Sequence, residues 1–222
     1  MSAKEFPIRV RIIMLVLNFV PQVHLSLVAF IILWFKPGLL FSSLIALGGV
    51  YLFPPLCTRL ILCLRPIRGS HISMTSPDFL TWWASLQLQI IFCRFPVLEE
   101  ALRLVPGLYS LWLRLWGAKI GRLTYWAAGT LIMDRPFLQI GDDVLFGAGV
   151  RLSAHVIEQT KPGDQELLLG VIKIGSKCSI GGYSMLACGT VIEDGQALKA
   201  FSLSPPFSIW KDGRRHKEPQ TP

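Results

Sequence analysis

From Ile120 onward a large apolar residue returns at every sixth position, and no other feature restricts the fold so tightly. The hexads IGRLTY, WAAGTL and IMDRPF begin at 120, 126 and 132. After a two-residue slip, IGDDVL, FGAGVR and LSAHVI begin at 140, 146 and 152. After a break over 158–173, IGSKCS, IGGYSM, LACGTV, IEDGQA and LKAFSL begin at 174, 180, 186, 192 and 198. An α-helix, at about 3.6 residues per turn, cannot hold such a period on one face. A coil with three flat walls can: one hexad covers each wall, the large residue fills the axis, and Gly, Ala or Ser turns the corner. The predicted element is a short parallel β-helix over 118–205, roughly four coils high. If hexad 174 lies over 140, then 186 lies over 152 and Gly189 over His155.

The half before the repeat has a different chemistry. Hydrophobic residues make up 52% of the chain and its mean hydropathy is +0.50, both high for a soluble domain of this length. IIMLVLNFVPQVHLSLVAFIILWF (12–35) is 24 residues without Asp, Glu, Lys or Arg, enough for a helix to cross the hydrocarbon core. A KPG turn (36–38) leads to a second run, LLFSSLIALGGVYLFPPLCT (39–58), in which Pro54–Pro55 is expected to kink or end the helix. Residues 1–70 therefore read as a transmembrane helical hairpin, retained rather than cleaved as a signal peptide.

Residues 1–122 carry 12 Lys/Arg against 4 Asp/Glu, so the whole excess of +8 lies in this half. Lys4, Arg9 and Arg11 flank one end of the hairpin, Arg59, Arg65 and Arg68 the other, and Lys36 alone lies at the turn. The positive-inside rule puts both ends, and the β-helix with them, on the cytoplasmic side of the inner membrane. Such placement points to lipid headgroups and excludes nucleic acid, since residues 123–222 balance 10 basic against 10 acidic groups. Residues 71–117 are expected to form interfacial amphipathic helices, with Trp82, Trp83, Trp112 and Trp116 at headgroup depth, the alternative being a buried helical linker. Asn18, Pro21, Gln22 and His24 interrupt the first span, and hydrogen bonding across the hairpin or between subunits accounts for them better than a lipid-substrate pocket. Five scattered cysteines, with no CxxC pair, suit a reducing compartment and argue against a disulfide framework or a zinc site.

The repeat resembles the hexapeptide-repeat acyltransferases, which fold as left-handed parallel β-helices. A narrower likeness reaches back to about residue 108. LYSLWLRLWGAKIGR, LQIGDDVLFGAGVRLSAHVIE and VIKIGSKCSIGGYSMLACGTVIEDGQALKAFSLS resemble the membrane-embedded C-terminal domain of poly-lysine-type nonribosomal peptide synthetases and related free-standing membrane acyltransferases. The resemblance implies a mixed fold, helical hairpin before β-helix, assembled as a homotrimer with sites between subunits. It also implies a His base and an acyl-CoA or acyl carrier protein phosphopantetheine donor, bound as substrate rather than as a permanent cofactor. Residues 158–173 would be the loop that completes a neighbour's site, and 206–222 a C-terminal tail.

His155 is the expected general base. It stands fourth in its hexad, off the axis-filling position, so its ring should project outward. An imidazole titrating near neutrality is suited to take the proton of an attacking hydroxyl or amine, and a thioester is activated enough to need no metal. Glu158, which opens the break, is the first choice for the acid that holds the other ring nitrogen, ahead of Asp142 and Asp143. Asp134, just before the slip, is a substrate-side candidate, as are Asp142 and Asp143. Cys188 and Gly189 are small enough for a pantetheine arm to pass, with the Gly189 N–H as an oxyanion donor. Lys199, Lys211, Arg214 and Arg215 could meet donor phosphates, although they read first as a soluble basic tail. Of His24, His71, His155 and His216 only His155 lies in the repeat, which excludes a three-imidazole zinc hydratase. The alternative to an enzyme is a non-catalytic trimeric membrane scaffold.

Overall fold

The computed structural model describes residues 7–161 and 164–217; Lys4 and the tail beyond 217 lie outside them. Two long apolar helices come first. One runs through α1 (Ile8–Leu17) and α2 (Val20–Phe35), with an irregular step at Asn18–Phe19. The other runs through α3 (Gly38–Leu47), a π-helical turn at Gly48–Leu52, and α4 (Phe53–Leu64). Pro54 and Pro55 therefore do not end the second run. They occupy the first turn of α4, where a missing N–H costs little, and the π turn before them absorbs the change of register. Both helices are long and apolar enough to cross a membrane, with mean hydropathy 2.0 and 1.8, and almost none of their surface is buried within the protein. The His24 Nε2–H donates to the Gly49 carbonyl at 2.9 Å, tying the two together.

Eleven hexads open on a residue that is buried without exception, from Ile120 to Leu198. Burying each such side chain stabilises the fold by about 1.5–3 kcal/mol. They fill a prism with three parallel walls. The first wall stacks β2 (Lys119–Ile120), β5 (Leu138–Ile140), β10 (Ile172–Ile174), β13 (Val191–Ile192), β16 (Ser208–Lys211) and β17 (Arg214–Lys217). The second stacks β3 (Tyr125–Trp126), β6 (Leu145–Phe146), β11 (Ser179–Ile180) and β14 (Ala197–Leu198). The third stacks β4 (Leu131–Ile132), β7 (Arg151–Leu152), β12 (Met185–Leu186) and β15 (Leu203–Ser204). Ile140 pairs with Ile174 and Leu152 with Leu186, the register expected from the hexads. Lys211, Arg214 and Arg215 are not a free tail. Ser208–Lys211 extends the first wall on β13, and Arg214–Lys217 folds back on it antiparallel, because an unpaired top edge of a parallel stack leaves backbone groups without partners.

The chain leaves the prism once, as a hairpin of β8 (His155–Lys161) and β9 (Asp164–Leu169), and β1 (His71–Ser73) adds to its outer edge. Three helices pack around these strands and coils: α5 (Pro77–Arg94) against β1 and β9, and α6 (Val97–Arg103) and α7 (Leu108–Leu115) toward the first coil. Most of their tryptophans are covered by protein rather than exposed. Trp112 and Trp116 are buried with Phe92, Tyr109 and Trp126 against the first coil, Trp82 is buried with Ile72, Phe79, Leu167 and Leu169 toward the hairpin, and Trp83 is only half-buried. The first coil needs a cap over its open end, and flat aromatic rings bury a large apolar area there. Ser76 caps the N-terminus of α5 by accepting from the Phe79 N–H at 3.2 Å.

Candidate active site

The corner between the third and first walls breaks the period twice. In the first coil the two-residue slip is a 3-10 turn, Arg135–Phe137, which turns Asp134 inward. In the second coil the hairpin departs at His155. Because Leu152 pairs with Ile132, one break lies directly over the other. His155 Nδ1 lies 2.6 Å from Asp134 Oδ2, and the other carboxylate oxygen accepts from the Trp82 Nε1–H at 3.0 Å. The indole also stands edge-on to the imidazole, with centroids 4.8 Å apart. Asp134 is sealed from solvent, whereas the His155 side chain keeps 17% exposure. Burial opposes the charged imidazolium, but the Asp134 charge and hydrogen bond outweigh it and raise the His155 pKa above its ordinary value. With Nδ1–H donated to the carboxylate, the lone pair resides on Nε2, which no described residue engages.

The acid is held as firmly as the base. Arg135, next in the chain, gives its backbone N–H to Gln89 Oε1 at 2.7 Å. Its guanidinium is wholly buried and pairs with Glu99 through Nε at 2.7 Å and through Nη2. Glu99 also accepts from the Tyr109 hydroxyl at 2.8 Å and from Arg103 at 3.1 Å. Phe92, Trp112 and Trp116 enclose the Arg135 guanidinium at 5.4–5.7 Å. Burial alone would lower the Arg135 pKa, yet the Glu99 carboxylate raises it, so the cation persists. Tyr109 is driven well above its ordinary value by burial and by Glu99. A charge pair this deep costs several kcal/mol if one partner is lost, and it clamps the segment that carries Asp134.

Other sequence candidates lie elsewhere. The place at Nδ1 expected for Glu158 is held by Asp134; Glu158 is exposed on β8, opposite Glu166. The hairpin strand carries its third residue past His155 away from the ring, which is why nearness in sequence misled. Gly189 does not sit on His155. The returning chain inserts Gly170 beneath it, and the Gly189 N–H donates to the Gly170 carbonyl at 3.1 Å, so it is no oxyanion donor. Gly189 has φ +68 and lies under the Phe207 ring, where an added Cβ would come within 2.3 Å of a ring carbon. Cys188 is fully buried, and burial, with the charges of Glu158 and Asp134, pushes its thiol up to about 12. Asp142 accepts the Arg122 N–H at 2.6 Å, and Asp143 takes a left-handed φ of 57°, both at the corner between the first and second walls. Lys199 follows β14 at the corner between the second and third walls, and Arg214 opens β17; neither is at the corner of His155. Trp82, Gln89 and Arg135 were not recognised as site residues. Among the described residues no cluster of His, Cys, Asp and Glu could hold a metal ion.

No family model matches the chain, and no curated protein matches it. Solved structures similar to it include a hexapeptide-repeat-containing acetyltransferase from Vibrio cholerae O1 biovar eltor, in complex with acetyl coenzyme A. It has 17% identity and a TM-score of 0.41, covering 57% of this chain and 84% of that one. A galactoside acetyltransferase in complex with coenzyme A has 16% identity and a TM-score of 0.36, covering 51% and 74%. A maltose O-acetyltransferase from Clostridium difficile 630 has 14% identity and a TM-score of 0.35, covering 74% and 97%.

Proposed function

We propose that the chain is a membrane-bound acyltransferase of the left-handed β-helix type. It moves an acyl group from a thioester donor, acyl-CoA or an acyl carrier protein, to a hydroxyl or amine of an amphipathic, lipid-like acceptor. The observation that carries this reading is the Asp134–His155 pair, with its acid buried and the Nε2 edge of its base open. In the proposed step Nε2 takes the proton of the acceptor as its oxygen or nitrogen attacks the thioester carbonyl. The C–S bond then breaks, and the imidazolium returns the proton to the departing thiolate. Asp134 stabilises the imidazolium and holds the tautomer. The raised thiol pKa of Cys188 argues for direct transfer, since a protonated thiol is a poor nucleophile.

The exposed apolar surface of the two long helices supports the membrane assignment. Basic residues at their ends support the cytoplasmic side. An assembly as a homotrimer draws support from the second and third walls, whose outer faces expose Tyr125, Leu145 and Leu203, and from the stacked, exposed Tyr183–Phe201 pair. In such a trimer Lys199 and Arg214 of a neighbour could serve the donor phosphates. The test is to incubate purified protein with labelled acetyl- and long-chain acyl-coenzyme A and a membrane lipid extract. His155→Ala should lower transfer by about 10²- to 10⁴-fold; equal transfer by both proteins removes His155 from the mechanism.

A further inference from the structure

On the opposite side of α5 from the dyad, a groove of about 450 Å³ opens between the apolar helices. Its walls are Ile13 and Leu17 of α1, Ile61 of α4, and Leu80 and Ala84 of α5, and Arg65 stands at its end. At ~1.5 Å per residue, Ile13 and Leu17 lie about 7 and 13 Å along α1 from its start, and Ile61 about 6 Å back from Arg65. The groove thus runs from a cation at the ends of both helices into their apolar length. Arg65 is exposed, and no described residue hydrogen-bonds or ion-pairs its guanidinium. Among the described residues no carboxylate lines the groove; its remaining polar groups are Thr75 and Thr81.

We propose that this groove binds one anionic glycerophospholipid, with its phosphate on Arg65 and an acyl chain between α1, α4 and α5. The chemistry is complementary: a mostly apolar groove of about 450 Å³ leads to the Arg65 guanidinium, which no described residue pairs, near where the spans end. The site rests on the reading of the hairpin as membrane-embedded and is separate from the catalytic corner, yet both sit on α5. Thr81 lines the groove, and its neighbour Trp82 donates to Asp134. A bound lipid therefore braces the helix that holds the acid in place.

Native mass spectrometry of detergent-purified protein, titrated with phosphatidylglycerol or phosphatidylcholine, tests the proposal. Wild type should retain one phosphatidylglycerol in preference to phosphatidylcholine. Arg65→Gln should weaken that retention by about fivefold, and Ile13→Trp, which fills the channel, should abolish it at unchanged melting temperature. Lys36→Gln, at the other end of the hairpin, should bind as wild type does. Equal retention of both lipids by wild type, or of phosphatidylglycerol by wild type and both groove variants, overturns the lipid site while leaving the membrane reading intact. Release of the protein from membranes by alkaline carbonate overturns the membrane reading, and the lipid site with it.

Discussion

Two corners of the same prism use carboxylates in opposite ways. Between the first and second walls the turn is regular, and its acids are exposed. Asp142 accepts the Arg122 N–H from the coil below, and Asp194 accepts the Ser176 N–H at 2.7 Å in the same manner. Each caps a backbone donor that the turn leaves unpaired. Between the third and first walls the turn is irregular in two successive coils. There Asp134 is buried, and it serves an imidazole and an indole instead of backbone amides. An acid that follows the period maintains the coil; an acid at a break in the period has been positioned for something other than the coil.

The contrast can be broken or sharpened by substitution. The largest effect belongs to His155→Ala, which should cost transfer activity and spare folding. Next comes Glu99→Gln. It leaves the Arg135 cation buried without its counter-charge and should destabilise the fold by about 3–5 kcal/mol, read as a lowered denaturant midpoint. Trp82→Phe keeps an aromatic but smaller ring and deletes the donor to a buried carboxylate oxygen; a loss of at least about 1–3 kcal/mol in stability is expected, with slower transfer. Smallest is Asp194→Ala at the regular corner. It removes an exposed cap, should cost no more than about 1 kcal/mol, and should leave transfer unchanged. A large activity loss in Asp194→Ala would erase the distinction between the corners.

Much of the prism was legible because one residue in six must fill its axis. The hexad starts named the buried set and the inter-coil pairs Ile140–Ile174 and Leu152–Leu186. His155 was legible as an imidazole in a position that periodicity did not require. Its acid was not, since nearness along the chain favoured Glu158. The signal for Asp134 was present in the slip. Pairing of Ile132 with Leu152 brings the slip beneath the hairpin's point of departure, so two irregularities one coil apart share a corner. The tryptophans of α5 and α7 were misassigned because an aromatic helix that caps a coil and one that lies on lipid have the same composition. Only tertiary contact separates them, as Trp82 and Trp116 show. Gly189 was displaced because an excursion returns at a residue that the repeat alone cannot number; Gly170 came between.

The pH dependence of acyl transfer shows whether Asp134 tunes His155 as a base. In wild type the base must be neutral, and Asp134 raises its pKa, so transfer should fall as the pH drops through a value above the ordinary 6.5. Asp134→Asn removes the charge and leaves burial to act alone, which lowers the pKa. The acid limb should then shift below 6.5, and the plateau rate should fall on the order of a hundredfold or more as the tautomer is lost. An unchanged limb together with an unchanged plateau in Asp134→Asn would contradict the account.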